Sequence, residues 1–294
     1  MATIRQVRQR IKVAKNIQQI TKAMKMVAAA RLKRAQERVQ SARPYATTMR
    51  EMLIGLAQAV GGKVDHPGFA VRPLRTVGFL IITSDRGLAG SYNSAILRRA
   101  VEMLRPYDKE RVKLYVVGRK GIQFFRRRGY NVVAEYNVNN TGITLSEARD
   151  ITRTVRDAFE TEEVDELYLL YTRFYTAITV KPTDILLLPL QTPEVEETEE
   201  TTPTGEQIEY IFEPSADALL KSLLTRYLEG QVFQALLESN ASEHGSRMTS
   251  MSSATDNAGK MITTLTLQLN RARQAGITRE ISEIVGGAEA LKGQ

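Results

Sequence analysis

Leu237, Ala241, His244, Met248, Met251, Thr255, Ala258, Ile262, Leu265, Leu269, Ala272 and Gly276 follow one another at alternating steps of four and three. That spacing marks a helix with a single seam laid against another helix. The seam lies in a segment, Ser215 to Gln294, that contains no proline, the residue a helix interior accepts only by losing a hydrogen bond. As one helix the segment would extend roughly 120 Å at about 1.5 Å per residue, more than a globular domain of this size can enclose. Pro214-Ser215 opens it, with Ser215 as N-cap, Asp217 near the positive dipole end and Leu219, Leu220, Leu223, Leu224 and Tyr227 as its first apolar face. Past Gly276 the apolar phase slips to Ile277, Ile281, Ile284, Ala288 and Leu291.

A partner seam sits at the other end of the chain. All nine prolines fall between Pro44 and Pro214, and Ile4, Val7, Ile11, Ala14, Gln18, Thr21, Lys25, Ala28, Leu32, Ala35, Val39 and Ala42 repeat the same spacing. Pro44 is expected to kink this helix and not to end it, because Met49, Met52, Leu53 and Leu56 continue the pattern to the Gly61-Gly62 break. One helix leads into the middle of the chain and the other leads out, so a pair projecting from the same side of that middle must be antiparallel. The seam is weak: Gln18, Thr21, Lys25, His244, Thr255 and Gly276 stand where Leu or Ile would each bury about 1.5–3 kcal/mol. Gly230, Gly245, Gly259 and Gly276 each add a helix penalty of about 1 kcal/mol. Two readings fit: small residues let the backbones approach, and surrounding protein covers the outward-facing Ile17, Ile20, Met24 and Ile281.

Between the helices the period changes to two. Val77 to Thr83 reads as a buried strand, followed by the loop Ser84-Asp85-Arg86-Gly87-Leu88-Ala89-Gly90-Ser91 and a helix from near Tyr92. Further strands are expected at 112–117, 166–172 and 185–190, with helices at 120–128 and 146–160. Alternating strands and helices predict an α/β, Rossmann-like, mostly parallel sheet. The expected division is a helix over 1–58, a sheet domain over 71–213 with an exposed acidic loop at 192–207, and a helix over 214–294.

Several function classes are disfavoured by residue content. The loop Gly87–Gly90 lacks G-x-G-x-x-G and is followed by no phosphate-binding lysine, so its glycines are read as serving a sharp βα turn. No nucleophile-base-acid set or paired carboxylates accompany it. The absence of cysteine removes disulfides and thiolate chemistry, and the two histidines, His66 and His244, stand far apart, read as an exposed loop residue and a seam residue. No catalytic residue, cofactor or metal site is expected, and the composition, 43% hydrophobic and 25% charged, predicts a soluble, folded chain without a signal peptide. The net charge of +8 is concentrated: residues 1–50 carry thirteen Lys or Arg against Glu37 alone. Such a helix is expected to lie against acidic protein surface or polyanion. A nucleic-acid-binding or scaffold protein with a basic coiled-coil arm remains the alternative, although no aromatic residue precedes Tyr45 to stack on bases.

Five segments carry a family likeness. Ile20-Thr21-Lys22-Ala23-Met24-Lys25-Met26-Val27-Ala28-Ala29, Ser84-Asp85-Arg86-Gly87-Leu88, Ala254-Thr255-Asp256-Asn257-Ala258 with Ala272 to Ile281, and Glu283-Ile284-Val285-Gly286-Gly287-Ala288 occur in that order. On these the chain resembles the gamma-subunit family of bacterial F-type rotary ATP synthases over essentially its whole length. The resemblance implies a central-stalk rotor whose helix pair stands inside an alpha3-beta3 ring, with the sheet domain beside epsilon and the membrane c-ring, at the cytoplasmic face of the cell membrane. Catalysis would belong to the ring. By position, Arg273 and Gln274 resemble residues that hydrogen-bond a loop of beta, with Thr278 one turn on, Ile281 on the apolar tip and Met24 facing them from the first helix. Ala89 departs from the family pattern, which often has cysteine there, and without a redox-regulatory cysteine insertion of the chloroplast type thiol control is not expected.

Overall fold

The computed structural model describes residues 3–59, 66–137, 143–190 and 216–292. The acidic loop 192–207, the Gly61-Gly62 break and the Pro214-Ser215 start lie outside the described residues. Packing divides the chain into two units, one formed by its ends up to Ala29 and from Arg247, the other by Ala30–Ser246. Two helices, α1 (Ile4–Ala59) and α5 (Ala216–Lys292), run through both, and α1 continues through Pro44.

The Ala30–Ser246 unit holds the sheet. Its elements are β1 (Val77–Ile82), α2 (Tyr92–Leu104), β2 (Val112–Val117), α3 (Arg119–Arg126), β3 (Val132–Tyr136), α4 (Leu145–Glu160), β4 (Glu166–Phe174) and β5 (Val180–Leu188). The strand order is β3-β2-β1-β4-β5. β1 pairs in parallel with β2 and β4, and β2 with β3, while β5 returns antiparallel to β4. The mostly parallel sheet predicted from the sequence is therefore present, with two differences. β3 was not anticipated; it is an edge strand whose residues alternate between half-buried and exposed, so it has no solid apolar run to announce it. β5 begins five residues before its predicted start and admits Pro182, which an edge strand tolerates because one side of its backbone needs no partner.

Alternation assigns the two faces. Val77, Phe79 and Ile81 join Ile96, Ala100 and Leu104 of α2 and Phe125 of α3 in one core, so Leu80 and Ile82 point to the opposite face. The buried face of α4 consists of Ala148, Ile151, Thr152, Val155, Ala158 and Phe159. Thr144 starts α4 with a capping box, its side chain accepting from the Glu147 amide while Glu147 reaches back to the Thr144 amide. Glycine is required at 118, where φ is +95° and an added Cβ would stand 2.4 Å from the Thr83 carbonyl oxygen. Thr83 closes that corner: its hydroxyl lies 2.9 Å from the Val117 carbonyl, to which it donates, and accepts from the Gly121 amide at 2.9 Å.

The same unit contains antiparallel stretches of α1 and α5. Met49 and Leu53 pack with Leu223 and Leu224, with Tyr227, Phe69 and Leu190 around them. Arg38 on α1 donates to the Ile143 carbonyl, and Arg149 on α4 pairs with Glu229 on α5 at 3.2 Å.

In the unit formed by the chain ends, three contacts fix the pairing of the helices. Lys25 Nζ donates to Ser252 Oγ at 3.0 Å, Thr255 Oγ1 donates to Thr21 Oγ1 at 2.8 Å, and Gly259 faces Gln18. As the number rises on α1 it falls on α5, so the two run antiparallel, and the numbers of each pair add to 276 or 277. Burial follows the predicted seam, with Val7, Ala14, Thr21, Ala28, Met251, Ala258 and Leu265 buried. Lys25 departs from it: its stem is exposed, and half-buried Met24 takes its place beside the seam. A lysine keeps its ammonium hydrated by leaning off the seam to the rim, where Ser252 accepts from it.

Candidate functional site

In an open α/β sheet, ligands bind where neighbouring strands send their connections to opposite sides, at the carboxyl ends. Here that place is between β1 and β4. It is filled by α5. A cavity of about 20 Å³, lined by Ser84, Asp85 and Tyr92 from the sheet side and Leu236, Ser239 and Glu243 from α5, remains there among the described residues. That is room for about one water, against some 300–1,000 Å³ for a small-molecule site.

The glycine-containing loop after β1 is committed to its own structure. Ser84 Oγ donates to the Arg86 carbonyl at 2.6 Å, Asn93 Oδ1 accepts from the Ser84 amide at 3.0 Å, and Asp85 accepts from the Arg119 amide at 2.9 Å. Polar groups that in a phosphate cradle would face a ligand are here hydrogen-bonded within the turn and to the start of α3. Of the histidines, His66 is half-buried and accepts from the Gly68 amide through Nδ1 at 3.0 Å, and His244 is buried in the seam.

The remaining candidates are surfaces. On α5, Arg273, Gln274, Thr278 and Ile281 are all exposed, and Thr278 Oγ1 donates back to the Gln274 carbonyl at 3.0 Å. The helix register explains why: Arg273 lies level with Ile4, the first residue of α1, so the residues after it run on past the end of their partner helix. Ile277, Ile281, Ile284 and Val285 are 49%, 55%, 72% and 56% exposed, a continuous apolar stripe that α1 is too short to cover. Side chains beyond Gly286, Leu291 among them, lie outside the described residues.

Met24 does not face this group. The same register sets it level with residues 252 and 253, about twenty residues and thus roughly 30 Å along α5 from Arg273. Its neighbours are a separate exposed apolar set on α1: Ile17, Ile20, Met26 and Val27, between 47% and 60% exposed. Every described basic side chain of α1 is exposed except half-buried Arg31.

Sequence reading missed a buried polar group on α5. Glu238, Ser239 and Ser242 are 6%, 2% and 0% exposed, and all three hydrogen-bond β4. The signal available was a carboxylate and two serines, Glu238, Ser239 and Ser242, beside the buried apolar residues Val232, Ala235, Leu236, Leu237 and Ala241. Beside them, burial pushes the Tyr171 phenol up to about 12, with the Glu238 carboxylate adding to the effect.

A small doubly wound sheet with a helix of its own chain in the crevice, in a chain that also carries an antiparallel helix pair with exposed apolar stripes, defines the class of fold. Comparison with known proteins narrows the class. The ATP synthase family model matches residues 3–291. The ATP synthase gamma chain of Desulforamulus reducens is 50% identical over 292 residues, covering 99% of this chain and all of the relative. That of Brevibacillus brevis is 46% identical over 289 residues, 98% of each. Among solved structures, a chain of the central stalk and c-ring of Tetrahymena thermophila mitochondrial ATP synthase matches with a TM-score of 0.61 and 27% identity, over 80% of this chain and 99% of that one. A chain of Euglena gracilis mitochondrial ATP synthase shares the fold, with a TM-score of 0.71 at 20% identity, over 98% of this chain and 94% of that one. The chain belongs to the ATP synthase gamma chain family.

Proposed function

We propose that this chain is the central-stalk rotor subunit of a proton-translocating F-type ATP synthase and carries no catalytic group itself. Among the described residues, no helix is long and apolar enough to cross a membrane; in this reading the chain meets the membrane peripherally, through the c-ring at its cytoplasmic face. The helical ends, 1–58 and 214–294, act as the shaft within an alpha3-beta3 ring, and the part between them, 71–213, meets epsilon and the c-ring.

The observation that carries this reading is the stripe Ile277, Ile281, Ile284 and Val285, exposed because α5 outruns α1. An apolar ridge of that kind is stable in water only when another surface encloses it. The second apolar set, around Ile17 and Ile20, meets the same need, and the basic face beside it attracts acidic segments at a distance without fixing one orientation. Rotation converts to chemistry because each orientation presents different surfaces to the three catalytic subunits and so shifts which conformation each adopts. Arg273, Gln274, Thr278, Ile281 and Met24 are the contact residues in this account, at two levels of the shaft.

The test is reconstitution with purified alpha and beta subunits. Ile281→Asp with Ile284→Asp should reduce incorporation of the chain into the ring at least ten-fold, and wild-type chain alone should show no ATP turnover. Turnover by the chain alone, or incorporation unaffected by the two carboxylates, would overturn the reading.

A further inference from the structure

β4 is longer than its neighbour. β1 pairs with it from Val77–Glu166 to Ile81–Leu170 and no further, while β5 continues alongside to the pair Phe174–Val180. On the β1 side, the backbone of Thr172 and Phe174 therefore has no strand to bond. Both residues are buried, at 1% and 7% exposure, where an unpaired amide gives up its water without gaining a partner.

α5 takes the place of the missing strand. The Thr172 amide donates to Ser239 Oγ at 3.3 Å, the Phe174 amide donates to Glu238 Oε2 at 3.2 Å, and Ser242 Oγ donates to the Thr172 carbonyl at 3.1 Å. Glu238 is itself held, its other oxygen accepting from Gln234 Nε2 at 2.9 Å. One turn further on, the helix passes so close to the β4–β5 turn that a Cβ at Gly245 would stand 3.0 Å from the Ala177 carbonyl oxygen. Residues 238, 239, 242 and 245 share one face of the helix, as the three-and-four spacing requires.

Apolar packing alone lets a helix slide or roll on a sheet at small cost, because dispersion contacts exchange for similar ones. Hydrogen bonds to a fixed backbone do not exchange: a half-turn roll of α5 would leave the Thr172 and Phe174 amides and the Thr172 carbonyl unpaired together. We propose that Glu238, Ser239 and Ser242 form the clamp through which torque passes between the sheet and α5. They are positioning residues, acting by holding α5 and touching no nucleotide. The proposal rests on the central-stalk reading for its load and on the β4 geometry for its residues.

The experiment combines two readouts on the double variant Ser239→Ala with Ser242→Ala, with Glu238→Met as an independent variant that removes the acceptor for Phe174 at similar volume. Amide exchange in the full-length chain reads the clamp directly. The Thr172 and Phe174 amides should exchange at least ten-fold faster, while Leu169 and Leu170, flanked by β1, stay protected. The reconstituted complex reads the load. ATP hydrolysis without a gradient should stay within two-fold of wild type, and ATP-driven proton pumping against an imposed gradient should fall at least two-fold. Unchanged amide protection in both variants would show that these side chains do not hold β4, and the proposal fails. Faster exchange with undiminished pumping under load would show a purely structural contact, and the torque assignment fails. Failure of the wild-type complex to couple hydrolysis to pumping would instead overturn the central-stalk reading, leaving the amide result to stand by itself.

Discussion

The helix register makes a sharp prediction because the chain has no cysteine of its own. Thr21 Oγ1 and Thr255 Oγ1 lie 2.8 Å apart, close to the 2.05 Å that a disulfide needs after small rotations. Thr21→Cys with Thr255→Cys should therefore close under mild oxidant. The bond would join residues 234 apart in sequence, and the chain-entropy estimate for a loop of that length is about 5 kcal/mol at 25 °C, from which any strain in the bridge subtracts. Denaturant unfolding of the oxidised and reduced forms, followed by helical circular dichroism, measures the difference, and we expect at least half of that value. The control is Ala14→Cys with Thr255→Cys, displaced by one heptad, about 10 Å, beyond the roughly 7 Å limit between bridged Cα atoms. In the assembled enzyme the oxidised pair should leave ATP hydrolysis within two-fold of the reduced form, because both cysteines turn with the same subunit. Closure of the control pair in preference to the first would refute the register, and with it the placement of Met24 and of the uncovered stripe.

Three further outcomes follow from named contacts. Met24→Lys places a cation on the exposed apolar set of α1 and should lower protons pumped per ATP in membranes carrying the variant, with hydrolysis less affected; an unchanged ratio removes Met24 from the coupling surface. Gly118→Ala should cost at least about 2 kcal/mol by denaturant unfolding, since positive φ and a collision with the Thr83 backbone act together, whereas Gly129→Ala, with φ +70° and nothing within 4 Å of the added carbon, should cost about 1 kcal/mol. Alkaline titration should expose the buried phenols: burial, then the nearby Glu163 carboxylate, pushes Tyr115 up to about 12, and burial, then Glu238, does the same for Tyr171. Because the folded state keeps protons that the unfolded chain releases above about 10, stability is intact below that pH and falls as pH rises towards 12. The slope is about 1.4 kcal/mol per pH unit for each such tyrosine, and a flat stability profile from pH 10 to 12 would contradict it.

What could be read from the sequence, and what could not, divides along a physical line. Seam positions, the solid apolar strands and the exposure of Ile17, Ile20 and Ile281 were legible, because each depends only on the local period of apolar residues. The level at which one helix meets the other was not. A seam of Ala, Thr, Gln and Gly buries nearly the same area in several registers, so burial alone does not choose among them. The choice falls to a few directional contacts, Thr21 with Thr255 and Lys25 with Ser252, whose partners are more than two hundred residues apart. The family resemblance implied Met24 opposite Arg273, and a seam read without those contacts offered nothing to check it against.

The clamp on β4 was hidden for a related reason. Serine and glutamate inside a long helix ordinarily read as tolerated polar residues, and nothing in their own neighbourhood says otherwise. Their role depends on where a different strand stops: had β1 kept its pairing as far as the level of Phe174, four residues beyond its last pair with β4, the Thr172 and Phe174 backbone would be paired and the same side chains would be buried polar groups in need of partners. The helix that closes the crevice of the sheet also supplies the hydrogen bonds that its longest parallel strand lacks. A fold that elsewhere opens this crevice to ligands here holds a helix in it, so the filling of the crevice and the bonding of the free edge of β4 have one structural cause.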